Sequence, residues 1–270
     1  MKTIVLVSLV IVFSFFSGCG SGGSTSTFSK YSPTQIFDKK VYTFYMFADY
    51  SSELNKSYLK FIPSSSGYYS IHIGTEDFQD LDIVLFSDEE FTQFITAKDS
   101  TSLYGERLNY NLKANQTYYI MIENYSNMSD VTYSLLVTPS IDNGFYTKTT
   151  PMQIQLTSSD EFTLLSYIGY DSPLYAYDAA QDKHYIHVSS QVYATLYLKT
   201  FIAQNEQDLD IKVFSDPNYS QLIYESSAAS TTQESMQIDF QANTEYFIEI
   251  QNFTNDSESS FVLSLDKYDF

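Results

Sequence analysis

The residues best placed to do chemistry are two pairs of carboxylates, in Asp80-Leu81-Asp82 and Asp208-Leu209-Asp210. Aspartates at i and i+2 on an extended strand leave the same face, with Cα atoms ~6.5–7 Å apart. Two carboxylates so placed are able to share a hard cation such as calcium. Glu76, Asp77, Glu206 and the run Asp88-Glu89-Glu90 stand close by in sequence as further oxygen donors. The same spacing equally suits one carboxylate that accepts backbone N–H groups where a strand begins and one that faces water, and no stretch has the ligand spacing of a dedicated calcium loop. Acid catalysis by either pair requires a carboxyl with a raised pKa in a cleft, which spacing alone does not supply. His184 and His187 are three apart in a strand-like segment and point to opposite faces, while His72 has no neighbouring ligand pattern. Beyond the first 30 residues there is no Gly-x-Ser-x-Gly turn and no phosphate-binding glycine motif, so no catalytic activity is expected.

The elements that position these pairs occur twice. Gln79–Asp88 reads QDLDIVLFSD, and QDLDIKVFSD returns 128 residues later at Gln207–Asp216. Aligned without a gap, Gln79–Val137 and Gln207–Leu265 agree at 21 of 59 positions, where chance at average composition gives roughly 3 to 4. The openings also match. Pro33-Thr34-Gln35-Ile36 and Val41-Tyr42-Thr43-Phe44 are echoed by Pro151-Met152-Gln153-Ile154 and Glu161-Phe162-Thr163-Leu164.

Within each copy the apolar period is two. Leu81, Ile83 and Leu85 alternate, as do Leu108, Tyr110 and Leu112, then Tyr118, Ile120 and Ile122, then Tyr133, Leu135 and Val137. The second copy repeats the pattern with Leu209, Ile211, Val213; Met236, Ile238, Phe240; Tyr246, Ile248, Ile250; and Phe261, Leu263, Leu265. Turn-forming clusters separate the runs, and no stretch after residue 20 holds a capped 3.6-residue period. The expectation is an all-β chain of two tandem antiparallel, jelly-roll-like β-sandwiches, over 31–139 and 150–270, each folding independently. Tyr119 and Phe247 alternate against the inward rows and are candidates for exposed rings that stack on a sugar or a protein partner, as are Tyr68, Tyr104, Tyr193 and Tyr197. The alternative is that Tyr simply favours strands.

The N-terminus carries a different signal. Lys2 precedes an apolar run from Ile4 to Phe16, too short to span a bilayer comfortably but suited to the core of a signal peptide over 1–18. Ser17-Gly18-Cys19 resembles the lipobox of bacterial lipoprotein precursors, although Phe16 departs from the usual Leu. Cys19 is the one cysteine of the chain, so it has no internal disulfide partner, and the resemblance makes it the lipidated first residue of the mature protein. Gly20–Thr27, GSGGSTST, then serves within 19–30 as a flexible tether. This implies a lipid-anchored protein of the cell envelope, and the lack of Asp after Cys19 points to the outer membrane where the host is Gram-negative.

The repeated strands resemble the bacterial pre-peptidase C-terminal domain family. The resemblance rests on Asp80-Leu81-Asp82-Ile83, on Asn115-Gln116-Thr117-Tyr118-Tyr119-Ile120-Met121-Ile122 and on Tyr133-Ser134-Leu135. The second copy offers Asp208-Leu209-Asp210-Ile211, Tyr246-Phe247-Ile248-Glu249-Ile250 and Phe261-Val262-Leu263. Asn115 and Asn243 stand where the family usually has Gly, and Asn tolerates the same left-handed turn. The resemblance implies non-catalytic modules of the kind appended to secreted peptidases, some of which bind matrix polymers or calcium. The formal charge of −19 repels phosphate backbones, which excludes nucleic acid as a partner. The expected partners are the membrane through the anchor, and an envelope protein or polysaccharide.

Overall fold

The computed structural model describes residues 29–48, 53–75, 79–100, 105–126, 128–141, 146–157, 162–168, 183–201, 209–227, 235–252 and 259–266. The signal peptide, Cys19 and the tether lie outside them, as do Glu76, Asp77, Tyr104, Glu206 and Asp208.

The first half contains β1 (Thr34–Ile36), β2 (Val41–Met46), β3 (Lys56–Phe61), β4 (Gly67–Thr75), β5 (Leu81–Phe86), β6 (Phe94–Lys98), β7 (Gly105–Leu112), β8 (Tyr118–Asn124) and β9 (Val131–Pro139). The second contains β10 (Met152–Leu156), β11 (Phe162–Ile168), β12 (Lys183–Ser190), β13 (Ala194–Phe201), β14 (Leu209–Phe214), β15 (Leu222–Ser226), β16 (Ser235–Phe240), β17 (Thr244–Asn252) and β18 (Ser259–Asp266). Each half forms one five-stranded and one four-stranded sheet. The five-stranded orders are β1-β3-β8-β5-β6 and β10-β12-β17-β14-β15, and the four-stranded orders are β2-β9-β4-β7 and β11-β18-β13-β16. The two orders correspond strand for strand, so the duplication seen in sequence is a duplication of topology.

The fold is all-β, as the alternation predicts. Leu81, Ile83, Leu85, Ile120, Ile122, Leu135 and Val137 share one core, and Ile211, Val213, Ile238, Ile248 and Ile250 another. Burying each such side chain contributes about 1.5–3 kcal/mol, the term that sets strand register. One detail departs from a purely antiparallel sandwich. In both halves the first strand pairs in parallel, β1 with β3 and β10 with β12, because it is joined to its neighbour by a crossover and not by a hairpin. Asn115 and Asn243 both take φ +59°, the left-handed turn expected of them.

The four-stranded sheet of the first half is covered on both sides. Every residue from Tyr69 to Thr75 on β4 is buried: Tyr69, Ile71 and Ile73 in the first core, Ser70 and His72 on the opposite face. That second face meets the second half. Leu136 of β9 packs in the second core, β11 lies against β4, β9 and β7, and Tyr146 inserts between His72 and His184. The His72 Nε2 to Tyr146 Oη distance is 2.6 Å, and the Tyr146 and His184 ring centroids are 5.0 Å apart. Gln153 N donates to Thr138 Oγ1 at 3.1 Å and Gln155 N to Lys39 O at 2.7 Å. The histidines are therefore packing residues of the junction. Replacing Tyr146→Phe removes the hydroxyl and keeps the ring, and should cost about 1 kcal/mol of stability in urea unfolding, the usual net value of one hydrogen bond.

Candidate functional site

Asp80 precedes β5 and is fixed through its backbone, not its carboxylate. Tyr125 N donates to Asp80 O at 2.9 Å, and Asp80 N donates to Ser126 Oγ at 3.2 Å. The same Ser126 hydroxyl bonds Gln79 Oε1 at 2.7 Å. This stitches the start of β5 to the turn after β8. Asp80 Oδ1 is buried without a hydrogen-bond partner, and burial raises the carboxyl's pKa above the ordinary range.

Asp82 lies on β5 directly opposite Glu123 of β8. Two like charges facing across an antiparallel pair repel. Burial first, then Asp80, Glu123 and Asp99, push the Asp82 carboxyl up to about 6. On the far side of Glu123, Lys56 of β3 pairs with it at 3.8 Å. In the second half Asp210 is buried and faces Gln251, so the repeated aspartate has kept its position and lost its acidic neighbour. Among the described residues no group of three or more His, Cys, Asp or Glu side chains comes together to hold a metal. Asp80 and Asp82 bring two carboxylates toward the six to eight oxygens that calcium takes, and Glu76, Asp77, Glu206 and Asp208, the other donors named from the sequence beside the two pairs, lie outside the described residues.

A carboxylate that the sequence reading passed over is buried more deeply. Glu106, at the start of β7, is fully buried, with Ser100 N and Ser100 Oγ donating to its Oε1 while Oε2 has no partner. Burial pushes its carboxyl up to about 7, and Asp82 adds to the rise while the Ser100 bonds and Lys98 oppose it. A signal was available, since Glu234 occupies the matching position of the second copy. Just before it, Gly105 at φ +132° pairs with Gly74, and an added Cβ would lie 2.1 Å from Ile73 O.

The outer face of each five-stranded sheet carries an aromatic cluster closed by a loop. After β5, Asp88 accepts hydrogen bonds from Thr92 N, Thr92 Oγ1 and Gln93 N, which turns Phe91 to φ +54°. Phe91 then lies edge-on to Tyr58, Phe86 and Tyr119, with centroids 4.8, 5.5 and 5.6 Å away. The second half repeats this. Asp216 holds Ser220 and Gln221, Tyr219 turns to φ +55°, and its ring meets Tyr185, Phe214 and Phe247. Phe247 is 6% exposed, stacked on His187 and edge-on to Tyr219, so it is not the free ring that the alternation suggests. Tyr119, Tyr68 and Tyr197 are half-buried, and Tyr193 is exposed. Among the apolar groups left open are Phe94 on β6 and Leu222, Ile223 and Tyr224 on β15, the matching edge strands, where each strand has a break in register with its neighbour.

No family model matches the sequence, and no curated protein matches it. Among solved structures, the chain is similar to the pre-peptidase C-terminal domain of a collagenase from Bacillus anthracis, at 18% identity and a TM-score of 0.33, covering 40% of this chain and 95% of that one. It is also similar to the M60 catalytic domain with its CBM51-1 and CBM51-2 domains from Clostridium perfringens ZmpB, at 10% identity and a TM-score of 0.25, covering 78% of this chain and 33% of that one. The fold class stands on the strand ladders themselves.

Glu106 makes stability depend on pH with a definite sign. Its folded pKa of about 7 exceeds the ordinary 4.5, so its contribution is full below that value and is lost as pH rises through 7. The loss amounts to up to about 3 kcal/mol at 1.36 kcal/mol per pKa unit. Glu106→Gln mimics the protonated acid and should flatten much of the decline between pH 5 and pH 8 in urea melts. Equal slopes for the two proteins would show that Glu106 does not carry this linkage.

Proposed function

We propose that the chain is a lipid-anchored cell-envelope protein whose two sandwiches act as non-catalytic binding modules, placed at the outer membrane where the host is Gram-negative. The observation that carries the binding reading is the repeated open edge. Phe94 on β6 and Leu222 on β15 occupy the same position of the repeat, and in both halves that strand is the last of its five-stranded sheet. An exposed apolar edge strand is a template for pairing with another chain, and proteins usually blunt such edges with charge or proline. Here a register break and one charged residue in each strand, Lys98 on β6 and Glu225 on β15, are what interrupt it. The anchor reading rests on the apolar leader and on Ser17-Gly18-Cys19.

A second reading, docking to one envelope protein, is favoured by the unequal size of the two edges. β15 exposes three consecutive apolar side chains where β6 exposes Phe94 alone. Capture from native envelope separates the readings. The acylated protein should recover bound material, and Ile223→Lys with Tyr224→Ser should lower that recovery at an unchanged melting temperature. Material that survives protease treatment of the envelope identifies a polysaccharide, and material lost with it a protein. Cys19→Ser should move the protein out of the detergent phase, because each buried CH₂ of the acyl chains contributes about 0.8 kcal/mol to attachment. Recovery indifferent to the β15 changes would place binding elsewhere, and unchanged detergent partitioning would remove the anchor.

A further inference from the structure

The two five-stranded sheets end on β1, β6, β10 and β15, and these edges are not alike. β10 is covered by the first half, since Gln153 N donates to Thr138 Oγ1 and Gln155 N to Lys39 O. The edge at β1 is capped from within, where Phe37 N donates to the Tyr42 hydroxyl at 3.0 Å. β6 exposes one large apolar side chain, Phe94, while β15 exposes Leu222, Ile223 and Tyr224 in succession. Among the described residues no strand pairs with β15 on the side away from β14.

A row of charged side chains runs across the second sheet and stops at this edge. Ile211 and Val213 of β14 point into the core, so Lys212 between them lies on the outer face. Glu249 of β17 stands opposite Lys212 on one side and Glu225 of β15 on the other. Glu249 is buried and ion-paired with Lys183 at 2.9 Å, and Lys212 reaches Glu225 at 3.5 Å. The signs therefore alternate from strand to strand, and the last group, Glu225, keeps 38% of its side chain exposed. The matching positions of the first half hold Met121, Val84 and Ala97, so the charged row belongs to the second copy. Tyr224, opposite Val213, turns toward the core side of the sheet and yet stays 43% exposed, an open ring at the flank of the sandwich.

We propose that β15 takes up an extended segment of a partner protein as a sixth strand, with a lysine or arginine beside Glu225 and an apolar residue beside Tyr224. This rests on the edge reading above and narrows it to one chemistry. An added strand bonds through its backbone, which any sequence offers, so its side chains decide which segment fits. Whatever stands next to Glu225 takes water from that carboxylate. A cation there continues the alternation, an acidic residue repels, and an apolar residue leaves the lost hydration unreplaced. Tyr224 and Glu225 are adjacent and face opposite sides, so the fitting segment alternates apolar and basic residues. The formal charge of −19 draws such a segment in, whereas a second copy of this chain brings the same charge and is repelled.

Two fluorescein-labelled probe peptides test this on the full-length protein, one alternating valine with lysine and the other valine with glutamate. Anisotropy gives affinity, and residue-resolved amide exchange gives the place of binding. The lysine peptide should bind and slow exchange within Ile223–Ser226. Glu225→Lys should weaken it roughly tenfold and bind the glutamate peptide better than the native protein does. Glu225→Gln, which sets no like charge beside Lys212, should narrow the preference without reversing it, and unchanged melting temperatures show that both variants fold. Loss of lysine-peptide affinity in Glu225→Lys with no gain for the glutamate peptide would mean attraction by net charge and overturn the proposal. Equal protection of β15 by both peptides, indifferent to Glu225, would overturn it and leave the open edge standing. Protection of β15 by neither peptide would also overturn it, and the edge reading falls too only where envelope capture is indifferent to the β15 changes. Protection that rises with protein concentration alone would assign the edge to a second copy and overturn the proposal.

Discussion

Burial of a polar sheet face is the constraint on which the rest of the architecture depends. β4 offers Ser70 and His72 on one side, and β9 offers Ser134 and Thr138, all buried. Each group loses water there and needs a partner. The partners come in part from the linking segment and the second half: Tyr146 for His72, and Gln153 N for Thr138 Oγ1. Apolar surfaces slide past one another at little cost, whereas hydrogen bonds at fixed positions do not. The Gln155 to Lys39 bond, with the parallel bridge between Lys40 and Gln155, continues the same registration along a backbone edge. The two sandwiches are thus packed in one defined arrangement.

Within that frame the two copies have diverged where water reaches them. Both keep the inner rows, the sheet order and the Asp-anchored loop that tips an aromatic ring onto the outer face. They differ in the charges across the sheet. Glu123 faces Asp82 in the first half and Gln251 faces Asp210 in the second. In the first half burial raises the carboxyls of Asp80, Asp82 and Glu106, with Glu123 adding to the rise at Asp82, and acid favours that half.

Much of this was legible in the sequence because burial on one face writes a period of two, and duplication writes it twice. The inner residues from Leu81 to Val137 follow from that alternation, and the left-handed turns at Asn115 and Asn243 follow from the tolerance of Asn for positive φ. The second face of β4 was not legible. Ser70 and His72 alternate with apolar residues as they would on a wetted strand, and only the tertiary arrangement covers them. The cover on Phe247 was not legible for a related reason, since a loop remote from it in sequence folds Tyr219 over it. Asp216, Tyr219, Ser220 and Gln221 recur against Asp88, Phe91, Thr92 and Gln93, so that loop left a trace in the repeat. Glu106 left one too, in Glu234.

The binding reading draws on the free edges of β6 and β15, and these can serve a partner only while the sheets behind them hold their shape. That in turn requires β4 and β9 to be the most protected elements of the first half. Amide hydrogen exchange at residue resolution tests this most directly, because exchange in such strands occurs only through global unfolding. The amides of Ser70–Thr75 and Val131–Thr138 should exchange slowest, at the rate set by global unfolding, and those of Ile95–Lys98 and Ile223–Ser226 much faster. Exchange of β4 and β9 as fast as that of the edge strands would contradict the doubly covered sheet.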